Sequence, residues 1–152
     1  MSLAMKLNKH SYQKQIVGEG WQKFSSICVN IEALDLGPHA KALIAEMILA
    51  VKFGMPIVVI ILAATIVDVI TNEQGLEALN VESSNKIELD WLTVSERKQL
   101  DWLRGLRNRL VHYQGVITGM GGSEIDNKYL RQDADKALKA ISPLLAGLEH
   151  FQ

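Results

Sequence analysis

The sequence predicts an all-α protein, a small bundle of about five helices. Apolar residues recur at spacings of three and four along most of the chain, which is the period of an amphipathic helix. Two breaks that combine glycine with proline, Gly37-Pro38 and Gly54-Met55-Pro56, separate these segments. The chain has 152 residues, 48% of them hydrophobic and 22% charged, which is typical of a single globular domain.

The first two helices are bounded by caps and turns. Ser11 is a candidate N-cap for a helix that continues to about Ile31 or Leu34. Residues 35–38 (Asp-Leu-Gly-Pro) then form a turn, because glycine ends helices and proline is tolerated in the first turn of the next one. The pattern predicts a second helix from His39 to about Phe53.

A third helix, from Pro56 to about Asn72, is apolar on nearly every side. No charged residue occurs from Phe53 to Val67. A membrane-spanning helix needs roughly 20 apolar residues, and this run is shorter and is interrupted near its start by Gly54-Met55-Pro56. Its β-branched residues leave a strand conceivable, but its length favours a helix. We therefore expect a buried central helix and no membrane association.

The last two helices are separated by a glycine-rich loop. Thr93 or Ser95 starts a helix that runs to about Tyr113, and residues 115–122 contain four glycines. The final helix covers about Asn127 to Leu148, with Pro143 expected to kink or interrupt it. Its inner face is formed by apolar residues at helical spacing, namely Leu130, Ala134, Ala137, Leu138, Ile141, Leu144 and Leu145.

Charge and cysteine content exclude several classes of function. Sixteen lysines and arginines face seventeen aspartates and glutamates, so no global basic field attracts nucleic acid and any such contact needs a local patch. The single cysteine, Cys28, excludes an internal disulfide framework and a cysteine-rich metal site. No signal-peptide pattern is present, so we expect a cytoplasmic protein. No metal motif is visible either, and we expect no cofactor.

Arg107 is the anomaly of the fourth helix. On a helical wheel it falls in the middle of an apolar half made of Leu100, Trp102, Leu103, Leu106, Leu110, Val111 and Tyr113. An unpartnered guanidinium costs several kcal/mol to bury. Arg107 therefore either meets a carboxylate in the core or faces a cleft or subunit interface. Asp68 is the candidate partner, because it is the only charge between Lys52 and Glu73.

Polar residues around Arg107 form a local positive patch. Asn108 and His112 are four residues apart and so lie on one helix face. Arg104 and Arg109 add positive charge, and each is either a solvated helix-face residue or a phosphate contact. Two structural alternatives remain for the other residues. Arg107 is either a functional residue or a purely structural member of an ion pair, and His112 is either functional or an ordinary histidine near a helix end.

The segment Arg107-Asn108-Arg109-Leu110-Val111-His112 resembles the signature of the HEPN superfamily, an arginine and a histidine separated by four to six residues, often with asparagine after the arginine. The helix order is similar too, including a final helix with the Asp-Ala pattern of residues 133–137. The resemblance covers about residues 38–148. It implies one HEPN-like domain over residues 1–152, with an up-and-down four-helix core and an extra N-terminal helix within residues 1–36.

Members of this family are commonly metal-independent ribonucleases, including HepT toxins and phage-defence effectors, while others are inactive binding or dimerisation modules. The resemblance implies catalytic roles for Arg107, Asn108 and His112, RNA contacts from Arg104, Arg109 and Tyr113, and a homodimer with a shared Arg/His cleft. A cognate antitoxin or another protein partner would fit a toxin. HepT-type toxins carry His-any-Tyr, whereas His112 and Tyr113 are adjacent here, so the subfamily stays open. Two alternatives also remain: an inactive helical module that dimerises or binds a partner protein or RNA, and a bundle that binds a small ligand.

Overall fold

The computed structural model describes residues 15–73, 91–112 and 120–149, and within these ranges the chain is helical, with no strand beyond one isolated bridge between Leu34 and Glu149. The small all-α bundle predicted from the sequence is confirmed. Five α-helices are present in the described ranges, together with a short 3-10 helix at Ile31–Ala33: α1 (Glu19–Cys28), α2 (Pro38–Lys52), α3 (Pro56–Glu73), α4 (Val94–Val111) and α5 (Glu124–Ala146).

Helix α3 lies at the centre of the bundle. It packs against α2, α4 and α5. Its side chains at Val59, Ile60, Ala63 and Val67 are fully buried. By length and composition alone α3 is apolar enough to cross a membrane, but 56% of it is buried inside the fold, as in the core helix of a soluble protein. The prediction of a buried central helix agrees with this packing.

Side-chain caps fix where two of the helices start. Thr93 and Glu96 form a reciprocal capping box at α4, so Thr93 rather than Ser95 is the N-cap. Ser123 and Asp126 form the same arrangement at α5, which therefore starts three residues before the predicted Asn127. The cap of α4 was therefore readable from the sequence, whereas α5 was predicted from its apolar spacing alone and its cap was missed.

Ser11, the predicted start of the first helix, lies outside the described residues, but the prediction of a helix that continues from there is wrong where the structure describes the chain. Residues 15–17 are not helical, and α1 begins at Glu19. Its N-cap residue, Gly18, offers no side-chain cap. Instead the Asp135 carboxylate of α5 accepts hydrogen bonds from the backbone N–H groups of Gly20 (3.0 Å) and Trp21 (2.9 Å). The negative charge of this carboxylate also interacts favourably with the positive N-terminal end of the helix dipole.

Helix α5 runs through Pro143 without interruption, contrary to one form of the prediction. A proline removes one backbone donor from the helix, and this one is accommodated near the C-terminal end. The predicted inner face is confirmed, because all seven of its residues are buried: Leu130, Ala134, Ala137, Leu138, Ile141, Leu144 and Leu145. This face closes the core opposite α3 and positions α5 beside α4.

Candidate functional site on helix α4

Helix α4 is amphipathic, and its apolar face holds it against the bundle. Leu100, Leu103 and Leu106 are buried. Trp102 is half-buried against the core, where the Lys136 ammonium of α5 lies 4.0 Å from the centre of its indole ring. Its contact with α5 indicates a structural role rather than a platform for base stacking. Val111, which the wheel placed on the apolar half, is instead 47% exposed near the helix end.

Asp68 of α3 joins two arginines of α4. Its Oδ2 accepts from Nη1 of Arg107 at 2.9 Å, and its Oδ1 lies 3.1 Å from Nε of Arg104. The pairing of Asp68 with Arg107 expected from the sequence is present. Arg104 is not a solvated helix-face charge, because its side chain is 20% exposed and shares the same carboxylate. We call Asp68, Arg104 and Arg107 the Asp68 cluster.

The Asp68 cluster lies at the edge of the core rather than deep inside it. The side chains of Arg107 and Asp68 are 18% and 31% exposed. Nε of Arg107 also donates to Oδ1 of Asn108 at 3.2 Å, so two side chains orient the guanidinium. Among the residues that the structure describes, Nη2 of Arg107 has no hydrogen-bond partner. One nitrogen of an oriented guanidinium is thus left to donate to an oxyanion.

His112 lies beyond the helix rather than on its polar face. It is the C-cap residue of α4, with extended backbone angles (φ −120°, ψ 108°), and its N–H donates to the carbonyl of Asn108 at 2.9 Å. The side chain is exposed and, within the described ranges, makes no hydrogen bond. The structure therefore brings Arg107 and Asn108 into direct contact but links His112 to them only through the backbone. Tyr113, the third candidate RNA contact, lies outside the described residues.

Asp133 of α5 is a neighbour that the sequence did not single out. Burial raises the pKa of its carboxyl, while the positive charges of Lys136 and Arg109 act in the opposite direction. Arg109 is exposed on α4, and its charge acts on Asp133 of α5. In the sequence, Asp133 is recognisable only as a neighbour of the apolar positions Leu130 and Ala134. That spacing does not indicate which part of α4 the Asp133 side chain is close to.

The side chains of this site suit the binding of a negatively charged group more than the binding of a metal. Three arginines (Arg104, Arg107 and Arg109) lie near two carboxylates (Asp68 and Asp133). Within the described ranges, no three His, Cys, Asp or Glu side chains are grouped so that they could hold a metal ion. Guanidinium groups bind phosphate and carboxylate oxygens in fixed geometry.

A second concave surface lies away from this site. An open groove of about 960 Å³ runs between α1, the start of α4 and α5, and Trp91, Ile27 and Pro143 are among its lining residues. Trp91 is 37% exposed there. Sequence reasoning missed the groove because its walls come from three distant segments.

Comparison with known proteins adds no assignment, because no protein-family model, curated protein or solved structure matches the chain.

Proposed function

We propose that this protein is a metal-independent endoribonuclease of HEPN type that acts as a cytoplasmic homodimer. The observation that supports the proposal is the oriented Arg107 guanidinium, whose Nε and Nη1 donate to Asn108 and Asp68 and whose Nη2 has no hydrogen-bond partner among the described residues. The resemblance of residues 107–112 to the HEPN signature supplies the reaction class. Toxins and phage-defence nucleases are common among such proteins, so we place this chain in one of those systems, with a cognate antitoxin or another protein as partner.

The reaction would use the 2′-hydroxyl of RNA as its nucleophile. His112 accepts the 2′-hydroxyl proton as the oxygen forms a bond to the adjacent phosphorus. Arg107 stabilises the charge that develops on the phosphoryl oxygens. The bond to the 5′-oxygen of the next nucleotide breaks, and that oxygen takes up a proton from water, to which His112 returns the proton that it accepted. The products are a 2′,3′-cyclic phosphate and a 5′-hydroxyl end, and no metal ion takes part.

A second copy of the chain would complete the site. Within one copy, Arg107 and His112 are joined only through the backbone at the end of α4. Two copies that meet at this end would place two arginines and two histidines around one RNA backbone. Arg104 and Arg109 would then contact neighbouring phosphates and position the strand.

A non-catalytic helical module is the second candidate function. The same Asp68 carboxylate that orients Arg107 also offsets its charge, as expected for a structural ion pair. The exposed His112 side chain fits an inert position at a helix end equally well. In that case the domain would dimerise or bind a partner protein or RNA without cleaving it.

Cleavage of mixed cellular RNA by the purified protein separates the two functions. The wild type should cut RNA and leave 2′,3′-cyclic phosphate ends, and His112→Ala should abolish cutting. His39→Ala is the matched control, because His39 is also exposed but lies at the start of α2. If the wild type leaves every RNA intact, or if His112→Ala cuts as well as the wild type, the module is the correct function.

A further inference from the structure

The structure points to a role for Asp68 in the site: we infer that Asp68 is a positioning residue that sets the two guanidiniums of Arg104 and Arg107 for binding an RNA phosphate. The inference rests on the proposed function, because it assigns a role within that site. Asp68 is the single charged residue of α3 between Pro56 and Thr71. It is directed at the arginine pair rather than at bulk solvent, since both of its carboxylate oxygens have an arginine nitrogen within 3.1 Å.

The single Asp68 carboxylate contacts two arginines, one with each of its oxygens, and this is the main support for the inference. Oδ1 lies within ion-pair distance of Nε of Arg104, and Oδ2 accepts a hydrogen bond from Nη1 of Arg107. Two long side chains from successive turns of α4 are thereby fixed to one rigid point on α3. Free arginine side chains carry about 2 kcal/mol of rotamer entropy. Fixing them before RNA binds removes part of that cost from binding and from the transition state.

The Asp68 cluster is partly exposed, which distinguishes it from an ion pair buried in the core. Its three side chains are 18–31% exposed, so the cluster is not sealed off from solvent. Nε of Arg107 donates to Asn108 and Nη1 donates to Asp68. In the part of the chain that the structure describes, Nη2 is the Arg107 nitrogen left to donate to a phosphate oxygen. Because Asp68 is negatively charged, it weakens the attraction of the site for RNA while it improves the geometry.

These opposed effects give the inference a specific signature. Asp68→Asn keeps the size of the side chain but removes the charge, and its amide N–H₂ is a donor facing a donor. The released arginines should lower kcat for RNA cleavage by about 10- to 100-fold. Affinity for an uncleavable 2′-O-methyl RNA should stay the same or rise, because one negative charge is gone. Asp101→Asn is the matched control, since Asp101 is an exposed residue of α4 and its loss changes the net charge equally.

A spectroscopic readout makes the test independent of catalysis. In NMR spectra of the arginine Nε–H groups, Arg104 and Arg107 of the wild type should give resolved signals that shift when 2′-O-methyl RNA is added. Asp68→Asn should shift the Arg104 and Arg107 signals away from their wild-type positions, while Asp101→Asn leaves both in place. Asp68→Glu keeps the charge and should retain more kcat than Asp68→Asn, and it serves as the second variant if Asp68→Asn does not fold.

Each result decides a distinct claim. Unchanged arginine signals and unchanged kcat in Asp68→Asn would overturn the positioning role while leaving the ribonuclease intact. A rise of both kcat and RNA affinity would also overturn it, since Asp68 would then only repel RNA. If the wild type cuts no RNA but its Arg107 signal shifts with 2′-O-methyl RNA and loses that shift in Asp68→Asn, the positioning role stands and the proposed catalytic function falls.

Discussion

The backbone N–H of Gly20 donates to the carboxylate of Asp135. The same glycine allows α1 to pack directly against the α5 backbone, because a Cβ at this position would overlap the Asp135 carbonyl oxygen. We predict that Gly20→Ala lowers the free energy of unfolding by about 1–3 kcal/mol, because the two helices must move apart. Gly105→Ala is the control, since in the described part of the chain nothing lies within 4 Å of an added Cβ there. It should raise stability by up to about 1 kcal/mol. Urea denaturation measures both, and equal midpoints for the two variants would contradict the close α1–α5 contact.

Substitutions along the end of α4 should affect RNA cleavage in a defined order. Loss of a proton-transfer group costs on the order of 10²–10⁴ in rate, so His112→Ala should show a loss of this size. We expect a comparable loss for Arg107→Ala and an intermediate one for Asn108→Ala, which removes the acceptor of the Arg107 Nε–H. Arg109→Ala should have a small effect. Initial rates on one RNA give the order, and a larger loss for Arg109→Ala than for Arg107→Ala would reverse the assigned roles.

Chelation should leave the ribonuclease activity unchanged. The proposed reaction uses an imidazole and a guanidinium, so no step requires a divalent cation. We expect equal rates with EDTA and with added magnesium once ionic strength is matched, because salt alone weakens RNA binding. Activity that disappears in EDTA and returns with magnesium would contradict the mechanism.

The protein should be a dimer at micromolar concentration. Light scattering should give a mass of about twice 16.9 kDa, the mass of one chain. The exposed Val111 beside His112 leaves an apolar side chain at the end of α4 where the second copy would meet the site. A monomer at every concentration at which RNA is cut would exclude the shared cleft while leaving the assigned residues open to a site within one chain.

Cys28 should react slowly with alkylating reagents while the protein is folded. Burial raises the pKa of its thiol from 9.0 to about 11. A rise of that size lowers the reactive thiolate fraction at pH 8 by about 100-fold. The chain has no other cysteine, so mass spectrometry after iodoacetamide treatment reports this thiol alone. We expect labelling in urea to be faster by about that factor, and equal rates in both states would show that the thiol is not desolvated.

Local patterning was sufficient to predict most helices and the inner face of α5. The starts of α2 at Pro38 and α3 at Pro56 follow the predicted breaks within one residue. Thr93 and Glu96, which form the cap at the start of α4, are part of one four-residue motif in the sequence. Such signals are readable because a helix forms its hydrogen bonds and its caps between residues close along the chain.

The candidate site was only partly predictable, because local patterns do not show which side chains of different helices meet. The sequence identified Arg107 as a charge on an apolar face and Asp68 as its partner, because each is isolated among apolar neighbours. It did not show that Arg104 shares this carboxylate, nor that Asp133 lies beside Arg109. These relationships depend on how α4 is rotated against α3 and α5, and that rotation is set by side-chain packing across the bundle.

The sequence by itself therefore determined the helical class, the buried α3 and the short motif that ends α4, all of which depend on spacings of a few residues. Only the tertiary structure decided that α1 starts at Glu19, because its cap is Asp135, 115 residues further along the chain from Gly20. It also decided which nitrogen of the Arg107 guanidinium binds a carboxylate, since Asp68 approaches from another helix. Contacts of this length are fixed by packing, and no local period in the sequence encodes them.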